Sequence, residues 1–284
     1  LNGTDQIRVL SKGYPMCEVD VKELTPKEAE INTTPALIRG VAARFTQLGC
    51  TVKGFDAYCE SDVLQGSGLS SSAAYEVLIG TILNHMFFEG KVSQAEVAQI
   101  GQYAENVFFG KPCGLMDQTA SAVGNLVTID FFDKDNPKIE SLKFDFASCG
   151  HALCIIDTRA SHADLTDEYA AIPNEIKAVC AHFGKEVLTQ IDEKEFFAAI
   201  PVLREKCGDR AVLRAFHFFN EQERVEKQKS ALKSGNFEAF LKLVNESGQS
   251  SYDYLQNLYS VCDSFGFVRS FVPVLQFNRY RYRR

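Results

Sequence analysis

No stretch of the 284 residues approaches the roughly 20 consecutive apolar positions of a membrane span, and Leu1 to Leu10 lacks the charged-then-apolar layout of a signal peptide. Basic residues do not cluster before the last few positions. With a formal net charge of −7, the sequence therefore predicts no nucleic-acid surface and no membrane partner, although an acidic protein still takes an anionic substrate through local dipoles. Cys-x-x-Cys pairs are absent too. The nine scattered cysteines predict buried, reduced thiols in a reducing compartment, and hence a cytoplasmic location. The chain starts at Leu1 without methionine and is expected to be a piece of something longer. What it does have is 45% hydrophobic content, enough to build the core of one large domain or two ordinary ones.

The most informative stretch is Gln65-Gly66-Ser67-Gly68-Leu69-Ser70-Ser71-Ser72-Ala73-Ala74. Two glycines permit positive φ and close backbone approach, so the amides of the turn are free to point at an anion. From Ser70 onward the apolar positions Ala73, Ala74, Val77, Leu78, Ile82 and Met86 read as an amphipathic helix. A glycine loop that feeds the positive end of a helix is phosphate-binding geometry, reinforced here by three consecutive hydroxyls. It lacks the Gly-Lys-Ser/Thr ending of a Walker loop and the third glycine of a dinucleotide fold. Taken alone it is equally an ordinary helix cap.

Around this loop the expected order is helix, strand, loop, helix. Ile7 to Leu10 and Val52 to Tyr58 read as strands, and Thr33 to Leu48 as a helix stopped by Gly49. Ser93-Gln94-Ala95-Glu96 is a capping box, followed by Val97, Ile100, Ala104, Val107 and Phe108 at helical spacing up to Gly110. Glu105 and Asn106 in that helix are either site residues or a solvated edge. Next, Lys111-Pro112 and Gly114 fix a tight turn that sets Asp117 near the start of a short apolar helix. Asp117 is there either a helix N-terminal charge or an acceptor for a hydroxyl proton beside bound phosphate. Leu126 to Phe131 and Gly150 to Asp157 read as strands flanking a turn-rich segment at 133–137. From Asn174 the pattern is helical, with a turn at Lys233-Ser234-Gly235-Asn236 before Phe237 to Val244.

Gln65 to Ala74 resembles the second motif of the GHMP kinase superfamily, and Cys113-Gly114-Leu115-Met116-Asp117-Gln118 resembles the sequence around the catalytic aspartate of galactokinases. Glu105-Asn106, Phe109-Gly110-Lys111-Pro112, the run Ser161 to Tyr169, Gly208 to Arg214 and Ser250-Ser251 are similar to galactokinases of the kind found in Gram-positive bacteria. The resemblance covers roughly Thr4 to Asp263. It implies an α+β, two-domain GHMP kinase fold with the active site in the interdomain cleft, residues 1–148 forming the N-terminal domain and 149–284 the C-terminal one. It implies ATP and Mg²⁺, with Gln65, Gly66, Ser67, Gly68, Leu69, Ser70, Ser71 and Ser72 around the nucleotide phosphates. Ser71, or a neighbouring hydroxyl, and Glu105 would face the metal. Asp117 would accept or orient the sugar hydroxyl, Gly114 would contact the sugar through its backbone, and Tyr169 would hydrogen-bond it.

The implied reaction is ATP-dependent phosphorylation of the anomeric hydroxyl of α-D-galactose by a monomeric enzyme whose partners are galactose and ATP. Two alternatives stay open: a catalytically silent galactose and ATP sensor of the same fold, and another small-molecule kinase of the superfamily. The intact hydroxyls at Ser70 to Ser72 speak against the first, and the Met116-Asp117-Gln118 context against the second. The family's first motif, with its arginine and Glu-His-x-Asp cluster, would lie upstream of Leu1. The glycine-rich third motif is not found after Asp263, where the chain reads Ser264-Phe265-Gly266-Phe267-Val268-Arg269-Ser270. The expectation is therefore that phosphoryl transfer by these residues alone is lost or nearly so.

Overall fold

The computed structural model describes residues 1–62, 69–133, 136–151, 166–257, 259–261 and 268–270. Mixed helix and strand make it an α+β protein of two compact units. One is Leu1–Ile129 with Lys138–Lys143, the other Asp130–Pro137 with Phe144–Arg284.

In the first unit β1 (Gln6–Ser11), β2 (Cys17–Asp20) and β3 (Phe55–Cys59) form a sheet in the order β2-β1-β3. Ile7 stands opposite Val19 on one side and Phe55 on the other, and all three are buried. Val9, two residues along β1, is buried as well, as the period of a half-buried strand requires. β1 and β3 run parallel, so a crossover must join them, and α1 (Thr34–Gln47) lies on that path. Pro35 sits in its first turn, where a missing N–H costs nothing, and Ile38, Val41, Ala42 and Phe45 face the core. Val52 to Tyr58 was expected as one strand, but β3 begins only at Phe55. Gly54 is pressed against β1, where a Cβ would fall 2.2 Å from the Thr4 carbonyl oxygen and 2.6 Å from that of Gln6.

Three helices pack on this framework: α2 (Ser71–Phe87), α3 (Gln94–Tyr103) and α4 (Met116–Val123). Val77, Ile79 and Leu83 of α2 and Val97 and Ile100 of α3 join the core of α1 and the sheet. The capping box of α3 is formed in both directions. Glu96 N donates to Ser93 Oγ at 3.3 Å and Ser93 N donates to Glu96 Oε2 at 2.8 Å. Buried Asn84 pins the connection from α2, donating to Val92 O at 2.8 Å and accepting from Val92 N at 3.1 Å.

The expected helix through Phe108 changes character after Tyr103. Ala104–Phe109 is a π-helical turn, closed by Gly110 at φ +83°, whose N–H donates to Glu105 O at 3.1 Å. The cause lies in the packing against α1. A Cβ on Gly40 would sit 2.7 Å from both Cα and Cβ of Ala104, so the two backbones touch almost directly. Beyond α4, β4 (Leu126–Asp130) pairs with β5 (Lys138–Leu142), a strand that the sequence pattern did not show.

The second unit is mainly helical: α5 (Thr166–His182), α6 (Glu193–Cys207), α7 (Asp209–Lys233) and α8 (Phe237–Ser250). Phe196 and Leu203 of α6 pack with Val179 of α5 and Val212 and Ala215 of α7. The run Gly208 to Arg214 earns its place structurally. Arg214, 1% exposed, donates to Glu175 Oε2 at 2.8 Å and to Leu255 O at 3.0 Å, tying α5 and the π turn after α8 (Ser251–Leu255) to α7. At the start of α8, Asn236 caps the helix by accepting from Ala239 N at 3.1 Å, and Phe237 stacks on Phe144 and Phe240. Two short antiparallel strands follow, β6 (Tyr259–Val261) and β7 (Val268–Ser270). Of the strand expected at Gly150 to Asp157, Gly150 instead closes a 3₁₀ turn at Ala147–Cys149, and residues 152–157 lie outside the described ones. So do 262–267.

Candidate active site

The start of α2 lies against two acidic residues delivered by two other elements. Ser70, immediately before the helix, has φ +57°, a left-handed conformation that strains any residue with a side chain. A serine in this position ordinarily accepts from the amides of the first turn. Ser70 makes no such cap, and its hydroxyl donates to Asp117 Oδ2 at 2.6 Å. Asp117 is the second residue of α4 and is exposed, so its carboxylate stays open to a partner from solvent. Two residues further along, Ser72 Oγ donates to Glu105 Oε1 at 3.2 Å.

Glu105 owes its place to the π turn, which carries its side chain inward until it is 3% exposed. Lys111 reaches the same Oε1 from the following turn at 3.6 Å. That turn is held by Asn106, whose Oδ1 accepts from Cys113 N at 2.7 Å, and by Gln102, whose Nε2 donates to Cys113 O at 3.1 Å. The other oxygen of Glu105 accepts from Gln118 Nε2 at 2.9 Å, and the same Nε2 donates to Glu76 Oε2 at 3.1 Å. Two buried acids of α2 and the π turn are thus bridged by one amide from α4. Burial, and next the negative charge of Glu105, push the Glu76 carboxyl up to about 8. It therefore holds a proton at neutral pH. Burial also pushes the Cys113 thiol up to about 12, with Glu105 adding to the shift, so it stays a neutral thiol.

Of the residues singled out by sequence, Ser70, Ser72, Glu105 and Asp117 come together in the first unit. Ser71 opens α2 half-buried, and it is Ser72 rather than Ser71 whose hydroxyl meets Glu105. Leu69 is exposed just before the helix, and Gly114 is exposed in the turn before α4. Gln65, Gly66, Ser67 and Gly68 lie outside the described residues, as does the side chain of Tyr169 in α5. Sequence reasoning missed Glu76 and Gln118. The signal for Glu76 was present: an acid four residues after Ser72, on a helix face shared with Ala73, Val77 and Gly80. Gln118 offered none beyond its position next to Asp117.

The donor set at Ser72 and Glu105 is all oxygen, which suits a hard cation such as Mg²⁺. Among the described residues no three His, Cys, Asp or Glu side chains converge as a metal site. A cation held here would complete its shell with phosphate oxygens and water, the usual arrangement for Mg²⁺ at nucleotide sites.

These elements define a class. Residues 36–125, from α1 to just beyond α4, match the family described as GHMP kinases N terminal domain. Among the proteins the chain is similar to are galactokinases. It is 32% identical over 238 residues to the galactokinase of Streptomyces coelicolor, covering 83% of this chain and 60% of that protein. With the galactokinase of Thermotoga petrophila it shares 30% over 243 residues, covering 85% and 65%, and with that of Glaesserella parasuis 34% over 224 residues, covering 76% and 55%. The chain thus spans less than two thirds of the length of these relatives. The same fold is seen in the crystal structure of Lactococcus lactis galactokinase complexed with galactose, at a TM-score of 0.72 and 24% identity over 89% of this chain and 66% of that one.

Proposed function

We propose that this chain carries the phosphoryl-transfer machinery of a galactokinase, moving the γ-phosphoryl group of ATP to the anomeric hydroxyl of α-D-galactose. The observation that carries the reading is the pairing at the start of α2, where Ser70 meets Asp117 and Ser72 meets Glu105. Phosphoryl transfer needs positioning and charge neutralisation more than covalent chemistry, and this arrangement supplies both. Asp117, held by Ser70, accepts or orients the proton of the sugar hydroxyl as its oxygen bonds to the γ-phosphorus and the bond to the β-phosphate oxygen breaks. ADP leaves. Ser72 and Glu105 would hold Mg²⁺, which when bound neutralises charge on the phosphates. The loop Gln65 to Ser72 is assigned to the phosphates, and Gly114 and Tyr169 to the sugar, by their likeness to the family's motifs.

A cytoplasmic location goes with this reading. Cys17, Cys50, Cys59, Cys113, Cys149 and Cys207 are free thiols, and no described helix is long and apolar enough to cross a membrane. The test is substitution of Asp117 in a protein that carries these residues together with the family's first and third motifs. Asp117→Asn is expected to leave ATP binding within about threefold while lowering kcat by about 10²- to 10⁴-fold, the range for loss of a general base. Isothermal titration with ATP and steady-state kinetics with galactose separate the two effects. An equal loss of nucleotide affinity would remove Asp117 from this role.

A further inference from the structure

Gln118 and Glu76 have no part in the reading above, yet both are fully buried beside it, at 1% and 0% exposure. Their hydrogen bonding is incomplete. Among the described residues, Glu76 Oε1 and Gln118 Oε1 are buried without a partner. A pair kept for stability alone would be better replaced by apolar side chains of the same volume, because a buried polar atom without a partner destabilises the fold. The surroundings have nonetheless been shaped to admit them. Gly101 of α3 lies against the pair, and a Cβ there would come to 3.1 Å from Glu76 Oε2 and 3.2 Å from Gln118 Cγ. What the pair achieves is geometric. The Gln118 amide takes one hydrogen bond to Glu76 on α2 and one to Glu105 on the π turn, and so turns the other oxygen of Glu105 toward Ser72.

We propose that Gln118 is a positioning residue for the cation carboxylate. Anchored on Glu76, its amide fixes Glu105 in the rotamer that faces Ser72, and locks that rotamer to the helix that carries Asp117. The metal-facing group and the hydroxyl-facing group then keep a constant separation, because adjacent residues of one helix hold both. This rests on the phosphoryl-transfer reading for its purpose, but not for its geometry.

The test uses the full 284-residue chain and three variants, with Mn²⁺ in the presence of ADP as the probe, followed by electron paramagnetic resonance. Glu76→Leu removes the anchor, Gln118→Met removes the bridge, and Glu76→Gln keeps an acceptor for the bridge. Outer partners of metal ligands typically contribute 10- to 100-fold to affinity. Mn²⁺ binding should therefore weaken about 10- to 100-fold in Glu76→Leu and Gln118→Met and stay within about threefold in Glu76→Gln. Equal losses in Glu76→Gln and Glu76→Leu would overturn the proposal, as would unchanged binding in both disruptive variants. If the unaltered chain binds no Mn²⁺, the phosphoryl-transfer reading fails, and crystal structures of the variants then decide the positioning. Glu105 turned away from Ser72 in Glu76→Leu supports it, and Glu105 still within hydrogen-bond distance of Ser72 overturns it.

Discussion

Ser70 shows how much of the site depends on single side chains. A non-glycine residue held at φ +57° costs on the order of 1–3 kcal/mol, and at this position it gives up its own capping bond as well. What it gains is the 2.6 Å contact with Asp117. Ser70→Gly relieves the strain and removes the contact, so its two effects have opposite signs. The melting temperature is expected to hold or rise slightly, while kcat with galactose falls about 10- to 100-fold through a less well oriented Asp117. A thermal melt and a steady-state assay on the same preparation read both, and a variant that melts lower with unchanged kcat would make Ser70 a structural residue only. The serines themselves were legible in the sequence as a run of hydroxyls after a glycine loop. Which of them meets which acid was not, because that depends on a left-handed turn and on helices that arrive from 33 and 47 residues further along the chain.

Among the elements, those with strong local signals stand where the sequence puts them. The capping box at Ser93 and Glu96, Pro35 in the first turn of α1 and the Gly235-Asn236 turn all act within a few residues of themselves. The π turn at Ala104–Phe109 was not legible, since its cause is the contact between Ala104 and Gly40, more than sixty residues away. Gly40→Val brings two more carbons into a place where even a Cβ would lie 2.7 Å from backbone. It is expected to destabilise the first unit by about 1–3 kcal/mol or more and to displace Glu105, lowering the urea midpoint. β2 and β5 escaped notice because each is short and carries charged residues.

Between α7 and α8 a different effect operates. His217 pairs with Ser250 Oγ at 2.9 Å, and burial, helped by nearby Arg224, lowers its pKa to about 4. In the unfolded chain it takes a proton near pH 6.5, while in the fold it stays neutral to about pH 4. Its contribution is therefore full above about pH 6.5 and is lost as the pH falls from there toward 4. His217→Asn, which does not titrate, should show a shallower loss of urea midpoint across that window. A slope equal to that of the unaltered chain would mean that His217 is solvated.

At the scale of the molecule, the likeness to galactokinases runs along four fifths or so of this chain, from 76% to 85% in the relatives named above. The residues that give it chemical content lie mainly in one stretch of the first unit, from α2 to α4. The α+β class and the likeness to the family were legible because the motifs occur jointly and in order, and the run at Gly208 to Arg214 resolved into an ion pair between buried Arg214 and partly buried Glu175 that holds α5 and α7 together. The central claim is that Asp117 acts on a sugar hydroxyl beside nucleotide phosphate. It is tested most directly by ADP release from ATP and Mg²⁺ with D-galactose, with D-glucose and mevalonate as controls, in a protein that carries this chain's residues together with the family's first and third motifs, and in its Asp117→Asn variant. The account predicts release that depends on galactose, exceeds that with either control, and falls at least about 100-fold in Asp117→Asn. Release that is fastest with mevalonate, or equal in the two proteins, would contradict it.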